Sequence, residues 1–343
     1  MCCVRMKRIV MLTGGPSPEA TVARESARAV TGALEARGYS VRVLELEPAG
    51  VAEVLTGEFD AAFLALHGRP GEDGGIQGML DLAGLPYTFS GAAASALAID
   101  KQATRAVFRE AGIPVAQGVS LCAQEARAPG AYAALSARLG RQIFLKERFG
   151  GSSVGTRLVE DASAFAEWQS GIGAGTQWVA ESRVVGMEVS VAVWSEAGLA
   201  ADGEGDAETP RVLGAVGVAP ASTYYSYEQK YQAQQTRYSI PPDLSPELLA
   251  QLEALALLAH RSVGCRSISR SDFIVTESHG TRGDASGRRV AGIDAASLPP
   301  IVALETNTIP GLTPQSLVPK LAAAHGIDFG TLCERLLREA RTH

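Results

Sequence analysis

Two short segments hold the residues best suited to chemistry, Ser269-Arg270-Ser271-Asp272 and Glu305-Thr306-Asn307. Each borders an apolar, β-branched stretch that reads as a strand. Phe273-Ile274-Val275 follows the first, and Ile301-Val302-Ala303-Leu304 precedes the second. Side chains two apart on a strand share a face, so Arg270 points with Asp272 and Glu305 with Asn307. If the strands pair, three oxygen donors converge beside one guanidinium. A donor set without thiolate or imidazole favours Mg²⁺ over zinc or copper, and Mg²⁺ held this way usually also holds phosphate. The alternative is a solvated polar strand face. The apolar setting argues against it, because unpaired buried carboxylates are costly.

Lys146 precedes a second candidate, Phe149-Gly150-Gly151-Ser152-Ser153-Val154-Gly155. Glycines let backbone N–H groups approach an anion, serines add donors, and the lysine adds a point charge. This is a phosphate-cradle pattern but not a P-loop, since G-x-x-x-x-G-K-[ST] occurs nowhere in the chain. Alone it reads equally well as a hairpin turn; upstream of a Mg²⁺ carboxylate pair the phosphate reading gains. His67-Gly68 through Gly74-Gly75 follows a third strand, and Gly14-Gly15 with Glu19 follows the first. Open parallel sheets bind ligands at such strand ends, although a tight turn and a helix start explain these two segments when each is taken alone. Gly171-Ile172-Gly173-Ala174-Gly175 lacks both the spacing and the preceding strand of a dinucleotide loop and reads as a turn.

The elements that must position these groups fall into three parts. In the first ninety residues strands alternate with helices: Arg8 to Leu12, a helix from Ala20 to Arg37, Ser40 to Leu46, and an apolar Phe59 to Leu66. That is βαβ architecture with a buried parallel sheet. Ile99 to Ala111 reads as a helix stopped by Gly112-Ile113-Pro114. A smaller α+β unit follows, with strands at Gln142 to Lys146, Trp178 to Glu181 and Glu188 to Val193 and hinges near residues 90 and 182. Ala219 to Leu244 is a long loop with five of the eight tyrosines, and Pro246 to Ser262 an apolar helix. Asp202 to Glu208 and Ser278 to Gly287 read as hairpin loops.

Composition narrows the function classes. The 343 residues carry a net charge of −6 and no long basic run, which argues against nucleic acid or an anionic membrane as partner. No apolar stretch approaches the ~20 residues of a membrane span. Met1 to Leu12 reads as a first strand and not a signal peptide, with Met6 as an alternative start. The five scattered cysteines, with no C-x-x-C, fit a reducing cytoplasm.

With these residues in place the chain resembles one family, the D-alanine–D-alanine ligases of the ATP-grasp superfamily. The similarity runs in order through Gly14-Gly15 with Glu19, Leu64 to Gly74 with Gln77-Gly78-Met79-Leu80, Ser95 to Lys101, Gly151 to Gly155, Tyr227 to Tyr231, and Glu305 to Thr313 with Ser316-Leu317-Val318-Pro319. It implies a three-domain ATP-grasp fold, α/β and α+β. Residues 1–89 would form an N-terminal substrate domain with a parallel sheet. Residues 90–181 would be the central small domain, and 182–343 the C-terminal catalytic domain with a lid at 219–244. The implied reaction is ATP-dependent joining of two D-alanines through an acyl phosphate, for peptidoglycan precursors, by a cytoplasmic homodimer.

The resemblance also implies roles. Lys101, Lys146, Gly151, Ser152 and Ser153 would hold ATP phosphates, and Glu181, Val184 and Glu188 adenine and ribose. Asp272, Glu305 and Asn307 would hold two Mg²⁺, with Mn²⁺ as substitute. Glu19 would take the first ammonium, and Arg270 with Gly311 would stabilise the tetrahedral centre. His67, Lys230, Ser316 and Leu317 would bind substrate, with Lys230 and Ser316 on the second carboxylate. Glu19, Ser152 and Tyr231 would form a triad joining the domains. A neutral tyrosine at 231 favours D-alanine over D-lactate as acceptor. The chain departs from the family at Glu147, at Phe149-Gly150, at Ser269 and Ser271, and at Ser182, where a hinge lysine is usual and Arg183 is the candidate substitute. These departures suggest two rivals, a ligase of other substrates and a nucleotide-binding protein without turnover.

Overall fold

The computed structural model describes residues 7–151, 155–195, 209–219, 237–276 and 299–342. The first unit is a parallel sheet of β1 (Arg8–Thr13), β2 (Ser40–Glu45) and β3 (Ala61–Leu64), in the order β2-β1-β3. β3 is shorter than the apolar run suggests; Ala65 and Leu66 stay buried as the chain turns toward His67. Helices α1 (Ala20–Glu35), α2 (Pro48–Thr56) and α3 (Gly75–Ala83) connect and follow these strands.

The helix expected from Ile99 is two helices, α4 (Ala92–Ile99) and α5 (Lys101–Glu110). Asp100 leaves helical geometry and its carboxylate accepts the Gln102 and Ala103 N–H groups at 3.0 and 3.2 Å. That is an N-cap, and it opens α5 at Lys101.

The second unit is an antiparallel sheet, order β4-β7-β5-β6, of β4 (Gly118–Cys122), β5 (Ile143–Glu147), β6 (Arg157–Val159) and β7 (Gln177–Ser182). Helices α6 (Ala123–Ala126), α7 (Ala131–Leu139) and α8 (Ala162–Gly171) accompany it. Its core, with Leu145, Phe165, Trp168 and Trp178, is separate from the others.

The third unit is a five-stranded sheet, order β10-β9-β8-β11-β12. Its strands are β8 (Gly186–Ser195), β9 (Pro210–Ala219), β10 (Arg237–Ser239), β11 (Ser269–Thr276) and β12 (Ile301–Asn307). Helix α9 (Pro246–Val263) packs on it together with Phe108 of α5. Helices α10 (Leu317–Ala324) and α11 (Phe329–Arg338) complete the chain, and their apolar faces share one core with β1 and β3. Buried Arg266 fastens the two units by donating to the carbonyls of Phe89 and Arg341, each at 2.7 Å.

The tyrosine-rich stretch contributes β10, which pairs antiparallel with β9. Its residues 220–236, and the expected loops at 202–208 and 278–287, lie outside the described residues.

Candidate active site

β11 and β12 pair as their alternation requires. Arg270 stands opposite Asn307 and Asp272 opposite Glu305. The register then shifts so that Phe273 faces Ala303, leaving Leu304 as an extra residue. Such a bulge ends regular pairing next to a site and re-aims its side chains. Arg270 donates to both Asp272 oxygens at 2.9 Å. The Ser190 hydroxyl, from β8, donates to Asp272 Oδ1 at 2.6 Å, and Asn307 Nδ2 lies 3.4 Å from Oδ2. Two carboxylates and an amide on one strand pair fit a hard divalent cation. Among the described residues no group of three His, Cys, Asp or Glu side chains offers a competing metal site.

Ser269 and Ser271 lie on the opposite face of β11. Ser269 Oγ is 2.8 Å from His260 Nδ1, and Ser271 Oγ is 2.7 Å from Thr306 Oγ1. These two departures from the family pattern are therefore satisfied in the interior and do not reach the metal face.

The carboxylate pair opens on a cavity of about 510 Å³. Glu19, His67, Lys101, Gly151, Glu188 and Arg270 line it with Asp272, Glu305 and Asn307. Glu19 is only 3% exposed. A Cβ built on Gly68 would meet Glu19 Oε2 at 2.7 Å and Ser17 Oγ at 2.5 Å; one on Gly151 would meet Oε2 at 2.5 Å. Two loops, one from each of the first two units, thus close on one carboxylate where only glycine leaves room.

Next to it, burial and the Glu19 charge push the Glu72 carboxyl up to about 8, although its oxygen accepts the Gly68 N–H at 2.6 Å. Burial, with Arg270 nearby, pushes the His67 imidazole down to about 4. At pH 7 the wall therefore holds a neutral His67 and a protonated Glu72. His67 Nε2 is buried with no hydrogen-bond partner among the described residues.

His260, also buried, is likewise pushed down to about 4 by its burial and by Arg261. An unfolded imidazole titrates near 6.5. Between those values the unfolded chain binds more protons, so stability falls as pH falls from about 6.5 to 4. Each histidine accounts for on the order of 3 kcal/mol of that loss. Thermal midpoints measured across this window should drop steeply, and less steeply in His67→Gln/His260→Gln. Identical slopes would contradict the buried neutral state.

Gly311, Ser316 and Leu317 form another part of the wall. Ser316 precedes α10, its oxygen accepting the Thr313 N–H at 3.1 Å and lying 2.8 Å from Thr313 Oγ1. The free N–H groups and positive end of α10 suit a carboxylate. Tyr238 and Lys320, which the motifs did not single out, line the same side with the Lys320 ammonium 4.3 Å from the Tyr238 ring centre.

Of the residues expected to bind nucleotide, Lys146 and Glu181 lie on the central sheet, Lys101 on α5 and Glu188 on β8. Lys101 Nζ donates to the Gly150 carbonyl, and Arg148 grips Asp100 with bonds of 2.7 and 2.5 Å. The guanidinium groups of Arg69 and Arg148 lie over the Phe149 ring, 5.1 and 5.0 Å from its centre, which ties the loop base to the first unit. Lys146 Nζ is 2.6 Å from Glu181 Oε2, and Arg105 takes Oε1. The Glu181 carboxylate is thus committed to two cations. Arg183, the candidate substitute for the missing hinge lysine, has its guanidinium 3.9 Å from Glu160. Val184 is half-buried in the link between β7 and β8. Lys146, Glu181 and Val184 are not part of the lining of the cavity above. Ser152, Ser153, Lys230 and Tyr231 lie outside the described residues.

Sequence reasoning missed Ser190, Glu72 and Arg105. Ser190 follows Glu188 at strand spacing, and Arg105 follows Lys101 at helical i,i+4 spacing, so periodicity could have found both.

Comparison with known proteins gives one consistent result. A family profile described as the D-ala D-ala ligase C-terminus matches residues 107–282 and 292–338, and one for the D-ala D-ala ligase N-terminus matches 47–90. The D-alanine--D-alanine ligase of Xanthobacter autotrophicus is 37% identical over 97% of this chain and 98% of its own length. That of Acidiphilium cryptum is 38% identical over 98% and 99%. The crystal structure of D-alanine--D-alanine ligase from Bacillus anthracis superposes with a TM-score of 0.76 at 25% identity, covering 97% and 96% of the two chains. The VanG D-Ala:D-Ser ligase of Enterococcus faecalis shares the fold with a TM-score of 0.74 at 23% identity, over 97% and 99%.

Proposed function

The chain belongs to the D-alanine–D-alanine ligase family and is an ATP-dependent ligase of D-alanine with the ATP-grasp fold, and we propose that it works through an acyl phosphate held between Glu19 and the Asp272/Glu305 strand pair. The observation that carries this reading is the cavity itself. It places a buried anion, a guanidinium and an oxygen-donor set around one volume of about 510 Å³.

A carboxylate and an ammonium do not condense in water. A carboxylate oxygen of the first D-alanine bonds to the γ-phosphorus as the bond to ADP breaks. The amine nitrogen of the second, having lost its proton, then attacks the acyl carbon and phosphate leaves. Glu19 holds the first ammonium, which fixes that substrate for in-line transfer. Lys146 and Lys101 hold phosphate oxygens. Arg270 and the Gly311 N–H stabilise the oxyanion, and the start of α10 with Ser316 and Lys230 receives the second carboxylate. Asp272, Glu305 and Asn307 would hold two Mg²⁺, or Mn²⁺, supplying positive charge against the transferring phosphoryl group. The Glu19–Ser152–Tyr231 triad and the 219–244 lid complete the reading and exclude water from the acyl phosphate. We assign the units as 1–89, 90–181 and 182–343. A homodimer in the cytoplasm, where ATP is available, completes the proposal; among the described residues no helix is long and apolar enough to cross a membrane.

The test is phosphate release with products resolved by mass. With ATP, Mg²⁺ and equal D-alanine and D-lactate at pH 7, release should depend on D-alanine and the product should be D-alanyl-D-alanine. Release without a substrate requirement would remove the ligase reading. A mainly ester product would show that the neutral Tyr231 does not select the amine.

A further inference from the structure

We propose that Arg105 is a positioning residue of the nucleotide site, holding the Glu181 carboxylate so that Lys146 can leave it for a phosphate; this rests on the reading of Lys146 as a phosphate ligand.

The three side chains form one buried chain of charges. Lys146 Nζ lies 2.6 Å from one Glu181 oxygen, and Arg105 Nη1 donates to the other. Arg105 Nη2 donates to the Ala116 carbonyl at 2.7 Å. The side chains of Arg105 and Glu181 are 6% and 7% exposed, that of Lys146 17%. A Cβ on Gly118 would come within 2.6 Å of Arg105 Nη2 and 3.0 Å of Cζ, so β4 leaves just enough room for the guanidinium. Burial pushes the Glu181 carboxyl up, but Lys146 and Arg105 together outweigh it and keep it ionised.

The two cations are not equivalent. Arg105 is a rigid fork fixed at two acceptors, whereas Lys146 is a point charge on a flexible stem and the more exposed of the two. When a nucleotide arrives, Lys146 is the partner free to turn. Taking one cation from a buried pair leaves an uncompensated charge at high cost. With Arg105 fixed on the other oxygen, Glu181 keeps a partner and that cost is avoided. Without Arg105, Lys146 is either retained by Glu181 or leaves a bare buried carboxylate, and both outcomes weaken ATP binding. Arg105 also lies four residues after Lys101 on α5, so one helix carries a phosphate lysine and the fixed counter-ion of the other.

The experiment measures ATP and D-alanine KM, with ATP binding in the absence of D-alanine, for the full chain. Arg105→Met should raise the ATP KM and Kd roughly tenfold or more, with the D-alanine KM unchanged. Arg105→Lys should recover part of the loss. Should Arg105→Met not fold, Arg105→Gln, which keeps a donor for Ala116, carries the same prediction. An unchanged ATP KM, a parallel rise in both KM values, or no recovery in Arg105→Lys overturns the proposal. Lys146→Ala separates the two claims. If it leaves ATP affinity intact, the reading of Lys146 fails; if it weakens ATP while Arg105→Met does not, only the role of Arg105 fails.

Discussion

Glu305→Gln should lower turnover by about three orders of magnitude, the scale of several kcal/mol of lost transition-state charge stabilisation. The substitution keeps shape and removes one charge from the donor set. Glu305 stands opposite Asp272, and its charge adds to the forces that raise Glu72. Glutamine keeps the size of the side chain, so the fold should be retained and the thermal midpoint should stay level. Activity lost at constant stability is the signature of a charge kept for function. Steady-state kinetics over a Mg²⁺ series with parallel thermal unfolding checks this. Turnover near that of the unaltered protein at saturating Mg²⁺ would remove Glu305 from the metal set.

Gly68→Ala should cut kcat/KM for D-alanine by about a hundredfold while ATP KM changes little, since a misplacement of about 1 Å at a positioning group is worth that much. Gly68 has φ +70°, and an added Cβ would press on Ser17 Oγ and Glu19 Oε2. The left-handed backbone alone costs about 1–2 kcal/mol for a residue with a side chain, which lowers stability without touching kinetics. Gly84→Ala isolates that cost: its φ is +64° and an added Cβ would meet nothing within 4 Å. Gly68→Ala should lose at least as much stability as Gly84→Ala, and only Gly68→Ala should lose D-alanine kinetics. Equal kinetics in both would show that the packing of Gly68 against Glu19 does not position the carboxylate.

Much of this site is legible in the sequence. The β-branched runs beside Arg270-x-Asp272 and Glu305-x-Asn307 identify strands, and the period of two fixes which side chains share a face. The register that sets Asp272 opposite Glu305 is not fixed by alternation alone, and the bulge at Leu304 leaves no mark in the periodicity. The break between α4 and α5 was hidden because the apolar pattern runs through it. Only the Asp100 cap, reinforced by Arg148, ends one helix and starts the next. β10 reads as loop in the sequence because three residues at a sheet edge are too few to show alternation. The commitment of Glu181 was out of reach for a stronger reason. Its partner Arg105 is 76 residues away, and nothing local distinguishes a carboxylate that meets a ligand from one that holds a lysine.

The central claim is that the first D-alanine is phosphorylated on its carboxylate before the second attacks. The most direct measurement uses D-alanine labelled with ¹⁸O in both carboxyl oxygens, with mass analysis of the inorganic phosphate released under turnover. If an acyl phosphate forms, the oxygen that bridged carbon and phosphorus leaves with phosphate, and each phosphate carries one labelled oxygen. Unlabelled phosphate formed alongside D-alanyl-D-alanine would contradict the account.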